Sequence, residues 1–149
     1  MGQKKIVIGA DHAGYQLKEH LKALLKDGGY DIEDVGTNSE ESVDYPDFAK
    51  KVTDSVIKNK KLGVLICGTG IGMSISANKV SGIRAALAKD AFTAEMSRRH
   101  NDANVLCIGG RTTSPQDAEI IVHNFLTTDF EGGRHEKRVK KIRDIEKHE

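Results

Sequence analysis

Leu62-Gly63-Val64-Leu65-Ile66-Cys67-Gly68-Thr69-Gly70-Ile71-Gly72-Met73-Ser74 is the stretch on which the fold of this chain turns. Residues 62–67 are a strongly apolar run, as a strand buried on both sheet faces requires. Three glycines at alternate positions follow, and residues 71–79 read as a helix. A strand passing into a helix through a short turn is the repeating unit of a parallel α/β sheet. The turn leaves backbone N–H groups uncovered, and the helix adds its positive amino end. Together they can cradle an anion or a developing oxyanion. One glycine suffices for a tight turn; three within five residues favour close approach of a ligand.

The alternation extends in both directions. Strands are predicted over residues 4–9, 31–35, 83–88 and 105–109, besides 62–67. Helices are predicted over 13–27, 45–59, 71–79, 91–99, from a Ser114 cap to about 126, and over 134–147. Leu17, Leu21, Leu24 and Leu25 have helical spacing, as do Phe48, Ala49, Val52 and Val56. Pro46 and Pro115 stand near helix starts, where a missing N–H costs nothing. The expectation is a parallel sheet covered by helices on both faces, formed by residues 1–149 as a single domain with a C-terminal helix at 134–147. Ligands of such open sheets bind outside the strands' carboxyl ends.

Composition narrows the function classes. Lys plus Arg is 23 and Asp plus Glu is 22, for a formal charge of +1. That balance gives no electrostatic case for nucleic acid or an anionic membrane as partner. Trp is absent and aromatics are 5%, which weakens any base-stacking role. No apolar run approaches a membrane span, and the start is too short for a signal peptide. Met1-Gly2 has Ile6 where a myristoylation signal needs Ser or Thr. Two cysteines, Cys67 and Cys107, make no disulfide framework or metal spacing. A cytoplasmic protein is expected.

Several polar residues stand out against this background. Cys67 sits beside the glycine turn, where a helix amino end favours a thiolate able to act as base or nucleophile; Cys107 reads as a small core residue. Asp11-His12 directly follows the first strand, and Asp11 suits helix capping and catalysis equally. His100 ends a helix, where a cation is welcome on electrostatic grounds alone. Arg134 and Arg138 are four apart on one helix face and can converge on a phosphate, although interleaved acids also fit a solvated face. His20, His123 and His148 lie in charged or amphipathic helices. Neither His-Glu-x-x-His nor a Cys/His quartet occurs, so no metal is indicated.

Gly9-Ala10-Asp11-His12-Ala13-Gly14, Asp44-Tyr45-Pro46, the run from Cys67 to Ser74, the run from Ser97 to Leu106, and Glu131-Gly132-Gly133-Arg134-His135 with Arg138 closely resemble ribose-5-phosphate isomerase type B. The resemblance covers nearly the whole chain. It implies a Rossmann-like three-layer sandwich with a five-stranded parallel sheet, and a homodimer or dimer of dimers with active sites shared between subunits. It implies a phosphorylated sugar substrate and no metal or organic cofactor. Cys67 would move a proton between C2 and C1, a role some relatives give to a glutamate; residues 74–76 here, Ser-Ile-Ser, offer no acid. His100 would protonate the ring oxygen, with Asp11 and Thr69 handling the anomeric hydroxyl. Gly68, Gly70, Ile71 and Gly72 would hold the enediolate by backbone N–H groups. His12, Arg134 and Arg138 would bind phosphate, while Asn101, Arg111 and Tyr45 match substrate-contact positions. His100, Asn101 and Arg111 are candidates to serve a neighbouring subunit's pocket.

Two other classes fit parts of the pattern. A non-catalytic sugar-phosphate or nucleotide binder would use the glycine loop and arginines but has no need of Cys67, Asp11 and His100 together. A dinucleotide-dependent oxidoreductase would want a third glycine where Met73 stands, although Asp90 lies about 20 residues on, as that fingerprint requires.

Overall fold

Residues on the central strands alternate between two apolar layers, and this sets the architecture. The computed structural model describes residues 4–147; the Met1-Gly2 start and His148 lie outside them. On β1 (Lys5–Ala10), Ile6, Ile8 and Ala10 face one layer and Val7 the other. On β3 (Leu62–Cys67), Val64 and Ile66 join the first layer, and Leu65 and Cys67 the second. β5 (Val105–Gly109) divides likewise, with Leu106 and Ile108 opposite Val105 and Cys107. Strands apolar on both faces are what a doubly covered parallel sheet needs.

The remaining strands are β2 (Asp31–Asp34) and β4 (Ala85–Leu87), and the sheet order is β2-β1-β3-β5-β4, parallel throughout. One face carries α1 (Tyr15–Asp27), α4 (Ala91–Asn101) and α5 (Pro115–Thr127); the other carries α2 (Tyr45–Asn59) and α3 (Ile71–Ala77). All five predicted strands form. β4 is shorter than expected because only three residues pair with β5, and Ile83 packs in the core just before it. Ser114 caps α5, its Oγ accepting the Asp117 N–H at 3.1 Å, with Pro115 in the first turn. α6 (Arg134–Glu146) lies against the end of α4. Its Glu146 carboxylate accepts from Ser81 Oγ and Gly82 N–H, both at 3.0 Å. No helix among the described residues is long and apolar enough to cross a membrane.

The connections from β1 and β3 depart to opposite sides, so a crevice opens outside their carboxyl ends. A buried ion pair shapes one wall of it. Lys18 is 1% exposed, and its ammonium donates to Asp34 at 2.6 Å and Glu19 at 2.9 Å. Asp34 also accepts from Lys22 at 2.8 Å and from the Gly36 N–H at 2.9 Å. This draws Gly36 so close to β1 that a Cβ there would meet Ala10 N at 2.7 Å. Burial alone would raise the Asp34 carboxyl, but hydrogen bonds from Lys18, Lys22 and Gly36 win and hold it below its ordinary value.

Removing one partner of a buried pair strands the other charge. Asp34→Asn is expected to cost about 3 kcal/mol near neutral pH, because Glu19 still faces Lys18. A depressed carboxyl contributes stability above its unfolded value and loses it as pH falls through the folded one. Urea melts of parent and variant should therefore converge as pH is lowered through that range, and a gap that does not close would count against this pair.

Candidate active site

The carboxyl edge of the sheet gathers ten of the fourteen site residues read from the sequence: Asp11, His12, Tyr45, Cys67, Gly68, Thr69, Gly70, Ile71, Gly72 and Arg111. Three loops meet there main chain to main chain. A Cβ on Gly14 would lie 2.5 Å from the Ile66 carbonyl oxygen, and one on Gly110 would lie 2.6 Å from the Ala13 carbonyl oxygen. Asp11 N–H donates to Ile66 O at 3.2 Å, Gly110 N–H to Cys67 O at 2.7 Å, and Arg111 N–H to Gly68 O at 3.0 Å. The Arg111 side chain lies against Gly68 of its own chain. The Tyr45 ring lies against Gly72, where a Cβ would come within 2.6 Å of it.

Asp11, His12, Cys67 and Thr69 are each tied to a main-chain N–H. Asp11 caps the turn into α1, its Oδ1 accepting from Ala13 N–H at 3.0 Å and Gly14 N–H at 3.1 Å. Its Oδ2 has no partner among the described residues and is not sealed from solvent. His12 Nδ1 accepts the Val43 N–H at 3.1 Å, so the neutral ring carries its proton on Nε2, free to donate outward. Sequence reading did not single out Val43; a main-chain donor leaves no residue-type signal.

Cys67 is 4% exposed, at the last position of β3. Its Sγ accepts the Gly70 N–H at 3.2 Å. Gly70 has φ of 82°, the left-handed region that lets its amide turn back to the sulfur. The Ile71 N–H donates to Thr69 Oγ1 at 3.3 Å, leaving the threonine hydroxyl hydrogen available. Two of the four expected oxyanion donors are thus engaged within the loop, while the Gly68 and Gly72 amides have no partner among the described residues. Cys107 is fully buried, and burial, with Cys67 nearby, pushes its thiol above the ordinary value.

His100, Asn101, Arg134 and Arg138 lie elsewhere. α4 runs back from the carboxyl edge over 11 residues, a rise of about 16 Å. It ends at the amino edge, where Asn104 O accepts the Gly63 N–H at 3.0 Å. Glu131 N–H donates to Arg99 O at 3.1 Å, which brings the start of α6 to the same edge. The His100 ring stacks on His135 at 4.3 Å between centroids. Burial, followed by His100 and Arg134, holds His135 below the ordinary histidine value, with Glu131 acting the other way. Arg134 and Arg138 are exposed beside it. Grooves of about 300 to 490 Å³ also lie at this amino edge, lined by residues such as Arg84, Arg98, Asn101 and Ile142.

The dinucleotide features have structural roles. Met73 is fully buried in the second layer, and Asp90 caps α4 by accepting the Thr93 N–H at 2.7 Å.

The fold is shared with solved isomerases. A Clostridium thermocellum ribose-5-phosphate isomerase B superposes with a TM-score of 0.95 at 51% identity, over 97% of this chain and 98% of the other. A Mycoplasma genitalium ribose-5-phosphate isomerase B, solved with bound ribulose-5-phosphate, gives 0.94 at 43% identity over 100% of both. In sequence, the Escherichia coli ribose-5-phosphate isomerase B is 45% identical over 96% of this chain and 97% of its own. The protein is therefore an isomerase, an intramolecular oxidoreductase on a five-stranded parallel α/β frame. More particularly, the chain belongs to the Ribose/Galactose Isomerase family, whose model matches residues 6–142.

The two thiols should separate chemically. Brief iodoacetamide treatment of the folded protein is expected to alkylate Cys67, at the edge of the crevice, and spare Cys107 until denaturant is added. Peptide mass spectrometry reads the result; equal labelling of both in the folded state would contradict the burial described.

Proposed function

We propose that this isomerase interconverts ribose 5-phosphate and ribulose 5-phosphate through a cis-enediolate, with Cys67 as the base. The observation that carries the reading is the Cys67 Sγ held against the Gly70 amide at the mouth of the glycine loop. A sulfur anion there has a ready hydrogen-bond donor. It removes the C2 proton of the open-chain aldose and returns it to C1, while a proton passes from O2 to O1. Amides of Gly68, Gly70, Ile71 and Gly72 face the developing oxyanion; losing one such donor typically costs about 2.7–4 kcal/mol of barrier lowering. Ile71 exchanges its Thr69 contact for substrate as it binds, and the Gly70 amide turns to the oxyanion as the sulfur takes up the proton.

Ring opening precedes this step. His100 gives a proton to the ring oxygen as its bond to C1 breaks, and Asp11 Oδ2 with Thr69 takes the proton of the anomeric hydroxyl, whose oxygen becomes the C1 carbonyl. His12 Nε2–H, Arg134 and Arg138 hold the phosphate, with Asn101, Arg111 and Tyr45 at the sugar. Phosphate binding then positions the reacting carbons from a distance.

Residues assigned to one reaction stand at opposite edges of one chain, so the working unit is a homodimer or dimer of dimers. In it the amino edge of one copy completes the carboxyl-edge crevice of another. Exposed apolar side chains on α3 and at the start of α4 support this: Ile71 is 52% exposed, Ile75 58% and Phe92 67%. Each copy acts as one domain, in a cytoplasmic setting where both cysteines stay reduced.

Two tests follow from these assignments. Cys67→Ser should bind ribose 5-phosphate nearly as well as the parent and lose about 10²- to 10⁴-fold in kcat. Parent-like kcat would remove Cys67 as base. Refolding Cys67→Ser together with His100→Asn should then restore about a quarter of parental activity, because half the dimers are hybrids with one intact site of two. Mixtures as inactive as either variant would refute the shared site.

A further inference from the structure

His100, Glu131 and His135 each bring one metal-ligating atom to a common point at the amino edge, and the three atoms lie within 4.8 Å of one another. They come from the last turn of α4, the segment before α6, and the first turn of α6. His135 is 4% exposed. Its Nε2 is a buried atom with no hydrogen-bond partner among the described residues. The nearest carboxylate oxygen, on Glu131, is 3.8 Å away, beyond hydrogen-bond reach. Buried nitrogens are ordinarily paired, so an orphan aimed into a cluster of donors marks a place for a ligand.

We propose that this trio is a binding site for a borderline divalent transition ion, with Zn²⁺ the best match. Two imidazoles and one carboxylate are zinc donors, whereas calcium and magnesium prefer all-oxygen sets. His135 is the preformed ligand, fixed by burial. Glu131 is exposed and His100 partly so, and these two supply the movement that closes the site. The His100 ring is stacked nearly parallel on His135, with 15° between planes. It must tilt out of that stack for its lone pair to converge on the same ion. Three protein donors leave a fourth position for water. Arg134 and Arg138 flank the site and Glu131 brings a single negative charge, so the ion is held reversibly. An ion on His100 withdraws that ring from other work. Inhibition of isomerisation, which rests on the role proposed for His100, is the functional consequence.

Zn²⁺ titrated into metal-stripped full-length protein against a chromophoric chelator reads binding without substrate or turnover. One ion per chain is expected, weakened about tenfold or more by Glu131→Gln, lost in His135→Gln, and unchanged in Cys67→Ser. Glu131 is exposed, so its variant tests the site even if His135→Gln fails to fold. Absence of binding, parental affinity in Glu131→Gln, or loss in Cys67→Ser overturns the site. Zn²⁺ should also inhibit the parent reversibly with EDTA, and inhibit Glu131→Gln less. Binding through Glu131 without inhibition refutes the inhibitory part and leaves the proton base assigned to Cys67 untouched.

Discussion

Main-chain contact between three loops at the carboxyl edge is the constraint from which the crevice follows. The segments after β1, β3 and β5 are pressed together where Gly14 meets Ile66 and Gly110 meets Ala13. Side chains would hold these loops apart, and backbone amides could not then converge. Because the strands are parallel, their ends arrive together and their helices begin together. The sheet therefore delivers several unpaired N–H groups to one small region. Gly70 adds the left-handed bend that turns an amide onto the Cys67 sulfur.

Around that fixed centre the polar groups are held from behind. Asp11 is tied by two loop amides, and His12 is oriented by Val43. Further back along the same edge, Gly36 is held by the pair formed by Asp34 and the buried Lys18. The amino edge follows another logic: its histidines stack on each other, and its arginines 134 and 138 face outward.

Much of this was legible in the residues. Apolar strands, glycine breaks and capping residues at Ser114 and Pro115 mark all eleven elements, because each obeys a local rule. The glycine loop and Cys67 were readable for the same reason, since chemistry and turn geometry share one short segment. Asp11 suited cap and catalyst equally; its Oδ1 is a cap, and its Oδ2 has no partner among the described residues. The separation of His100 and Asn101 from Cys67 was not visible in motif order. Residues just before a parallel strand lie at the edge opposite those just after one, and only the direction of α4 reveals it. Val43 and Glu131 act through main chain or long-range placement, which residue patterns do not encode.

The clamp of Glu146 on Ser81 and Gly82 reaches beyond the turn it closes. With its first residues held against α4, α6 becomes a strut pinned at both ends. The axis that carries Arg134 and Arg138 is thereby tied to the segment leading into β4, an edge strand of the sheet. An acid one full helix length away thus steadies the rod on which those arginines ride, and a docked neighbour would meet a bar fastened at both ends in place of a swinging arm.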